Sequence, residues 1–262
     1  MREYAANELL RVSQPFIDAV WPLYREGDRS PLEHLGSSVL LRAGEEWFLL
    51  SAAHVLNERR TRQVYLGLGQ DLYELNSRFF STSDEHGAPD LAVSFLETEF
   101  VQAAGNPGHV RAEDVLVVPQ KIERTVHVVV GFPHTKQPKG PKKSGELPAR
   151  PMTHAGHSML HNKIRDLGYD PSIHVLIEFD KKASYRASGR GMPPHPYGLS
   201  GGGVWAVPDL LRISSPMARL AAIGIEWRRD LKCLVASRVQ PCLALIARHR
   251  PELLPRLAPL LQ

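Results

Sequence analysis

Between residues 36 and 238 the chain breaks into short apolar runs rich in β-branched and aromatic residues. These cover 36–42, 46–51, 63–68, 90–96, 115–119, 125–131, 174–180, 203–207, 219–227 and 234–238. Strands that follow one another without helices between them pair antiparallel, because parallel pairing needs a long crossover. The spacing therefore predicts an all-β barrel or sandwich, and Ala43-Gly44-Glu45 reads as a hairpin turn between the first two runs. Helical periodicity is confined to the flanks. Residues 3–12 carry Leu9 and Leu10, and residues 14–25 carry Phe16, Ile17, Val20, Trp21, Leu23 and Tyr24, with Ser13 and Pro15 at a helix start. A C-terminal helix is expected over 239–249, with Pro251 and Pro255 beyond it.

At 262 residues, 43% of them hydrophobic, the chain can bury a large core as one large domain or two small ones. The 32 basic residues barely exceed the 28 acidic ones, a net +4 that gives no reason to expect a nucleic-acid partner. The basic stretch from Lys136 to Lys143 contains two prolines and reads as a solvated loop, part of a long excursion over 138–151. No apolar run nears the roughly 20 residues of a membrane span, and the N-terminus lacks a signal-peptide core. With only two cysteines, Cys233 and Cys242, a reducing, cytoplasmic setting is expected.

Three places carry candidate chemistry. Leu49-Leu-Ser-Ala-Ala-His54 ends an apolar run on a histidine, and Asp90 heads another. Ser200 lies in the glycine-rich Gly198-Leu-Ser-Gly-Gly202. A serine hydroxyl becomes nucleophilic when an imidazole takes its proton, and the imidazole needs a carboxylate to fix its tautomer and stabilise its cation. The oxyanion that forms needs backbone N–H donors in close approach, which Gly198 and Ser200 supply. Asp84 and Glu85 compete with Asp90 but lie in a polar loop, and Ser37, Ser38 and Ser51 lack the glycine setting of Ser200. His154, His157 and His161 have metal-like spacing without a carboxylate or cysteine beside them, so no metal site is assigned.

Taken in order, Ser51-Ala-Ala-His54-Val, Asp90-Leu-Ala-Val and Gly198-Leu-Ser-Gly-Gly resemble the segments of trypsin-like (chymotrypsin-fold) serine peptidases that carry the His, Asp and Ser of the triad. Weaker matches at 128–133, 220–227 and 235–239 extend the resemblance over roughly residues 36–250. It implies two six-stranded antiparallel β-barrels: residues 1–35 as an N-terminal helical extension, 36–124 as the first barrel with His54 and Asp90, and 125–262 as the second with Ser200 and a C-terminal helix. The implied activity is endopeptidase cleavage of proteins or peptides through an acyl-enzyme, with no cofactor.

Two departures stand out. Secreted, zymogen-activated members have an aspartate before the serine, where this chain has Leu199, and neither their Ile-Val-Gly-Gly start nor their paired cysteines are present. The sequence is closer to intracellular bacterial and glutamyl-endopeptidase relatives, for which loop ordering or a regulatory partner docked on the N-terminal helices is the expected control. A catalytically weak protease-fold module that binds peptides or scaffolds a defence or stress complex is the rival reading. In glutamyl endopeptidases a Gly-Ile-His-Trp strand lines the substrate pocket, and the equivalent here is Gly224-Ile-Glu226-Trp227. Glu226 with Trp227 either lines that pocket and selects Lys or Arg, or Glu226 points to solvent.

Overall fold

The computed structural model describes residues 15–27, 32–68, 71–82, 88–116, 125–134, 150–179, 185–186, 189–190, 195–207 and 218–261. Two curled antiparallel sheets dominate. The first is built from β1 (Val20–Arg25), β2 (Glu33–Ala43), β3 (Glu46–Ser51), β4 (Val64–Leu68), β5 (Asp71–Glu74), β6 (Phe79–Ser81) and β7 (Ala92–Leu96), in the order β5-β4-β1-β2-β3-β7-β6. The short β8 (Val110–Arg111) adds a parallel pairing to β2. The second contains β9 (Val126–Gly131), β10 (Met152–His157), β11 (His174–Glu178), β14 (Gly203–Val207), β15 (Arg219–Arg228) and β16 (Cys233–Arg238), in the order β10-β9-β14-β15-β16-β11. A separate ribbon pairs β12 (Tyr185–Arg186) with β13 (Gly189–Arg190). The expectation of an all-β fold with two antiparallel β-barrels holds in two curled half-barrels, which among the described residues contain eight and six strands in place of the expected six and six.

The continuous apolar runs have a structural cause. Alternate residues of a strand face opposite sides of the sheet, and here both sides meet a core. Leu40 and Leu49 pack inside the first half-barrel. Their neighbours Val39, Leu41, Phe48 and Leu50 join Val128, Val130 and Trp205 of the second sheet in a core shared by both. In β9, Val129 turns the other way, into the second half-barrel. The C-terminal helix α4 (Gln240–His249) seals the shared core with Cys242, Leu243 and Ile246. Cys233 and Cys242 are both buried and unpaired.

One expectation fails. The helix predicted over 14–25 is limited to one turn at residues 15–18, and 20–25 form β1. Pro22 is the physical reason: inside a helix it would remove a hydrogen bond and clash with the preceding turn. Paired with Ser37 in the sheet, it is tolerated. The first sheet thus begins at Val20, ahead of residue 36. The helix expected over 3–12, the acids Asp84 and Glu85, and residues 135–149 of the basic excursion lie outside the described residues. No described helix is long and apolar enough to cross a membrane.

Candidate active site

His54 sits one residue into the short helix α1 (Ala53–Asn57), which follows β3 directly. Asp90 precedes β7, the strand paired with β3, so the register of two neighbouring strands brings the residues together. The Asp90 carboxylate accepts twice from His54: Oδ2 from ring Nδ1 at 2.5 Å, and Oδ1 from the backbone N–H at 3.0 Å. The Asp90 carbonyl also accepts the Ala53 N–H at 3.3 Å. Burial works to raise the Asp90 pKa, but the ring hydrogen bond, the His54 charge and the His54 and Ala53 N–H groups outweigh it and hold the carboxyl below its ordinary range. An ionised carboxylate only accepts, so Nδ1 carries a proton, and in the neutral ring the lone pair falls on Nε2. The His54 side chain is 52% exposed. Its free face can therefore act as a base.

The serine lies on the loop entering β14. Ser37 in β2 connects that loop to the first sheet: its N–H donates to the Ser200 carbonyl at 2.8 Å, and its hydroxyl donates to the Gly198 carbonyl at 3.0 Å. The same hydroxyl accepts the Phe132 N–H at 2.8 Å. A side chain on Gly36 would meet both the Ser200 carbonyl and Val55, at 3.0 Å each, so the loop lies against the helix that bears His54. The two halves of the site are brought together, yet Ser200 and His54 share no hydrogen bond. The Ser200 hydroxyl donates instead to the Ile225 carbonyl at 2.9 Å.

Residues 196–199 form a tight turn, closed by Leu199 N–H donating to the Pro196 carbonyl at 3.0 Å, with Gly198 at φ +93°. A positive φ at the third position is the type II arrangement, which glycine adopts without strain. The Tyr197 carbonyl accepts the His134 N–H at 2.7 Å. A trans peptide points its C=O and N–H in opposite directions, so this bond turns the Gly198 N–H away from the body of the loop. Neither the Gly198 nor the Ser200 N–H donates to a carbonyl among the described residues. Two uncommitted N–H groups, with one residue between them, can receive an oxyanion. Gly201, at φ +86°, leaves no room for a side chain, since a Cβ would strike the Ser37 carbonyl and the Ser51 hydroxyl.

Leu199 answers the question its sequence position raised. Its side chain is 5% exposed and packs with Val129, Met152 and Val204. Apolar burial holds the loop where an ion pair would otherwise be required. Ser37 and His134 are positioning residues that sequence reasoning missed, because their contacts span 161 and 63 positions of chain respectively.

Glu226 and Trp227 lie in β15 beside a cleft that also touches Ser200. The Glu226 carboxylate accepts the Tyr169 hydroxyl at 3.0 Å and lies 3.7 Å from the Arg228 guanidinium. His154 and His157 fall in β10, so their spacing is that of a strand. Among the described residues no group of three His, Cys, Asp or Glu could hold a metal ion.

No protein-family model matches the chain, and no curated protein matches its sequence. Its backbone is similar to the apo crystal structure of the MamO protease domain from Magnetospirillum magneticum, with a TM-score of 0.50 and 10% sequence identity, over 88% of this chain and 97% of that one. At that identity the likeness shows the fold alone: this chain is built on a protease-type frame, and its chemistry rests on the residues it places there.

Proposed function

We propose that this protein is a serine endopeptidase in which Ser200 attacks a peptide carbonyl, His54 takes and returns the proton, and Asp90 holds His54 in the required tautomer. The observation that carries the reading is the two-point hydrogen bond between His54 and Asp90, beside a glycine loop with two uncommitted N–H groups. A histidine serving only to pack would have no need of a carboxylate on Nδ1 and an exposed opposite face. The Gly198 and Ser200 N–H groups receive the oxyanion. Leu199 and the His134 N–H keep that loop assembled without a zymogen-type ion pair, so activity needs no proteolytic activation.

The Ser200 bond to the Ile225 carbonyl favours the second reading, a protease-fold module without turnover. Its magnitude is small beside the barrier differences that separate an active from an inactive enzyme. One such hydrogen bond contributes about 1 kcal/mol net, equivalent to about fivefold in rate. The test is hydrolysis of an unfolded protein by the purified chain and by Ser200→Ala. Turnover lost in the variant supports the peptidase. Equal turnover in both, or none in either, supports the module.

A further inference from the structure

A small cleft lies beside Ser200 between β9, β14, β15 and β16. Val129, Leu199, Val204, Leu234 and Ala236 wall it, and all five belong to one apolar core. Glu226 is the one acid among the described lining residues. Its neighbour Trp227 packs on the core that contains Leu199 and Val204. Consecutive residues of a strand project to opposite faces, so Glu226 projects away from that core.

What it meets there is consistent. Tyr169 donates its hydroxyl to the Glu226 carboxylate, and Arg228 donates to the Tyr169 oxygen at 2.8 Å. Arg228 is in turn held by both carboxylate oxygens of Asp230, at 3.0 and 2.8 Å. The charges at the rim thus pair with one another. Neither the glutamate nor the arginine is left to receive a charged side chain in the cleft.

On the serine-peptidase reading, we propose that this cleft takes the side chain before the scissile bond and selects an uncharged, apolar one, in place of the Lys or Arg that a carboxylate in the pocket would select. A lysine, arginine or glutamate entering it would shed its water among Val129, Val204 and Leu234 and gain no unpaired opposite charge from the described lining residues. That is costly enough to discriminate by at least tenfold, and on the order of a hundredfold for a fully seated group.

The experiment separates this inference from catalysis. The Ser200→Ala protein is titrated with peptides of one sequence that differ only at the C-terminal residue, ending in Leu, Val, Lys, Arg or Glu, and affinity is read by calorimetry. The expected result is that the Leu and Val peptides bind at least tenfold more tightly than the three charged ones. Equal affinities, no measurable binding of any peptide, or preference for a charged end would overturn it. Failure of the wild-type protein to react at Ser200 would sink the peptidase reading while leaving this affinity order intact.

Discussion

The two halves of the site are prepared to different degrees. On the first sheet, His54 and Asp90 already hold the geometry that the chemistry needs, because the pairing of β3 with β7 fixes both ends of the hydrogen bond. On the second, the loop is fixed but the nucleophile is turned away: Gly198, Leu199 and Gly201 are held by buried contacts, while the Ser200 hydroxyl rests on the Ile225 carbonyl. The contrast teaches that backbone and side chain are secured separately. Folding fixes the backbone of the loop, while the Ser200 hydroxyl keeps a partner of its own in the Ile225 carbonyl.

Substitutions can break this comparison from either side. The largest expected effect is at the pair itself. Asp90→Asn keeps the shape but presents Nδ1 with the wrong tautomer, and should lower kcat by about 10⁴ with little change in melting temperature. A loss below tenfold would show that the pair does not serve catalysis. On the other side, Gly201→Ala drives a methyl group into the Ser37 carbonyl and imposes a left-handed backbone on a residue with a Cβ. It should cost about 2–5 kcal/mol of stability in denaturant unfolding. An unchanged midpoint would mean that the glycine loop is not packed as described.

Ser37→Ala tests the bridge between the two halves. It leaves the buried Phe132 N–H and Gly198 carbonyl without their shared hydroxyl, at a cost of about 1–3 kcal/mol. On the serine-peptidase reading the loop it frees carries the oxyanion donors, so kcat should fall more than KM rises. A stability loss with unaltered kinetics would reduce Ser37 to a packing role.

The dependence of stability on pH reads the burial of the frame and not the chemistry of the site. His34, beneath Gly198, is pushed down to about 3 by burial and by the charge of His134, and burial pushes His127 to about 4. Both are neutral in the folded chain, whereas their unfolded forms take up protons below about 6.5. Their contribution is therefore full above pH 6.5 and falls as pH drops toward 4 and 3, with the lowered Asp90 pKa adding to the loss below about 4. Melting temperature should decline steadily over that range, and a flat profile between pH 6.5 and 4 would contradict the burial of both histidines.

Much of the frame was legible in the residues. The runs 46–51, 126–131 and 203–207 are apolar on consecutive positions because each strand lies between two cores, and such runs announce themselves. β1 misled because Val20, Trp21, Leu23 and Tyr24 fit a helical spacing by coincidence, and Pro22 was the signal against it. The positions of His54, Asp90 and Ser200 could be read because each sits near where a strand begins or ends. Glu226 could not be placed, since a bulge at Ile225 shifts the alternation of β15, and a bulge leaves no mark in a period of two. The turn of the Ser200 hydroxyl was also beyond reach, as it depends on a carbonyl 25 residues away.

On the serine-peptidase reading, the loop and the His54–Asp90 pair make Ser200 reactive in the isolated chain. Treating the purified protein with a fluorophosphonate and mapping the adduct by peptide mass spectrometry tests it most directly. The account predicts one adduct per chain, on Ser200, formed without any partner and lost in the Asp90→Asn protein. No adduct, or an adduct on another residue, would contradict it.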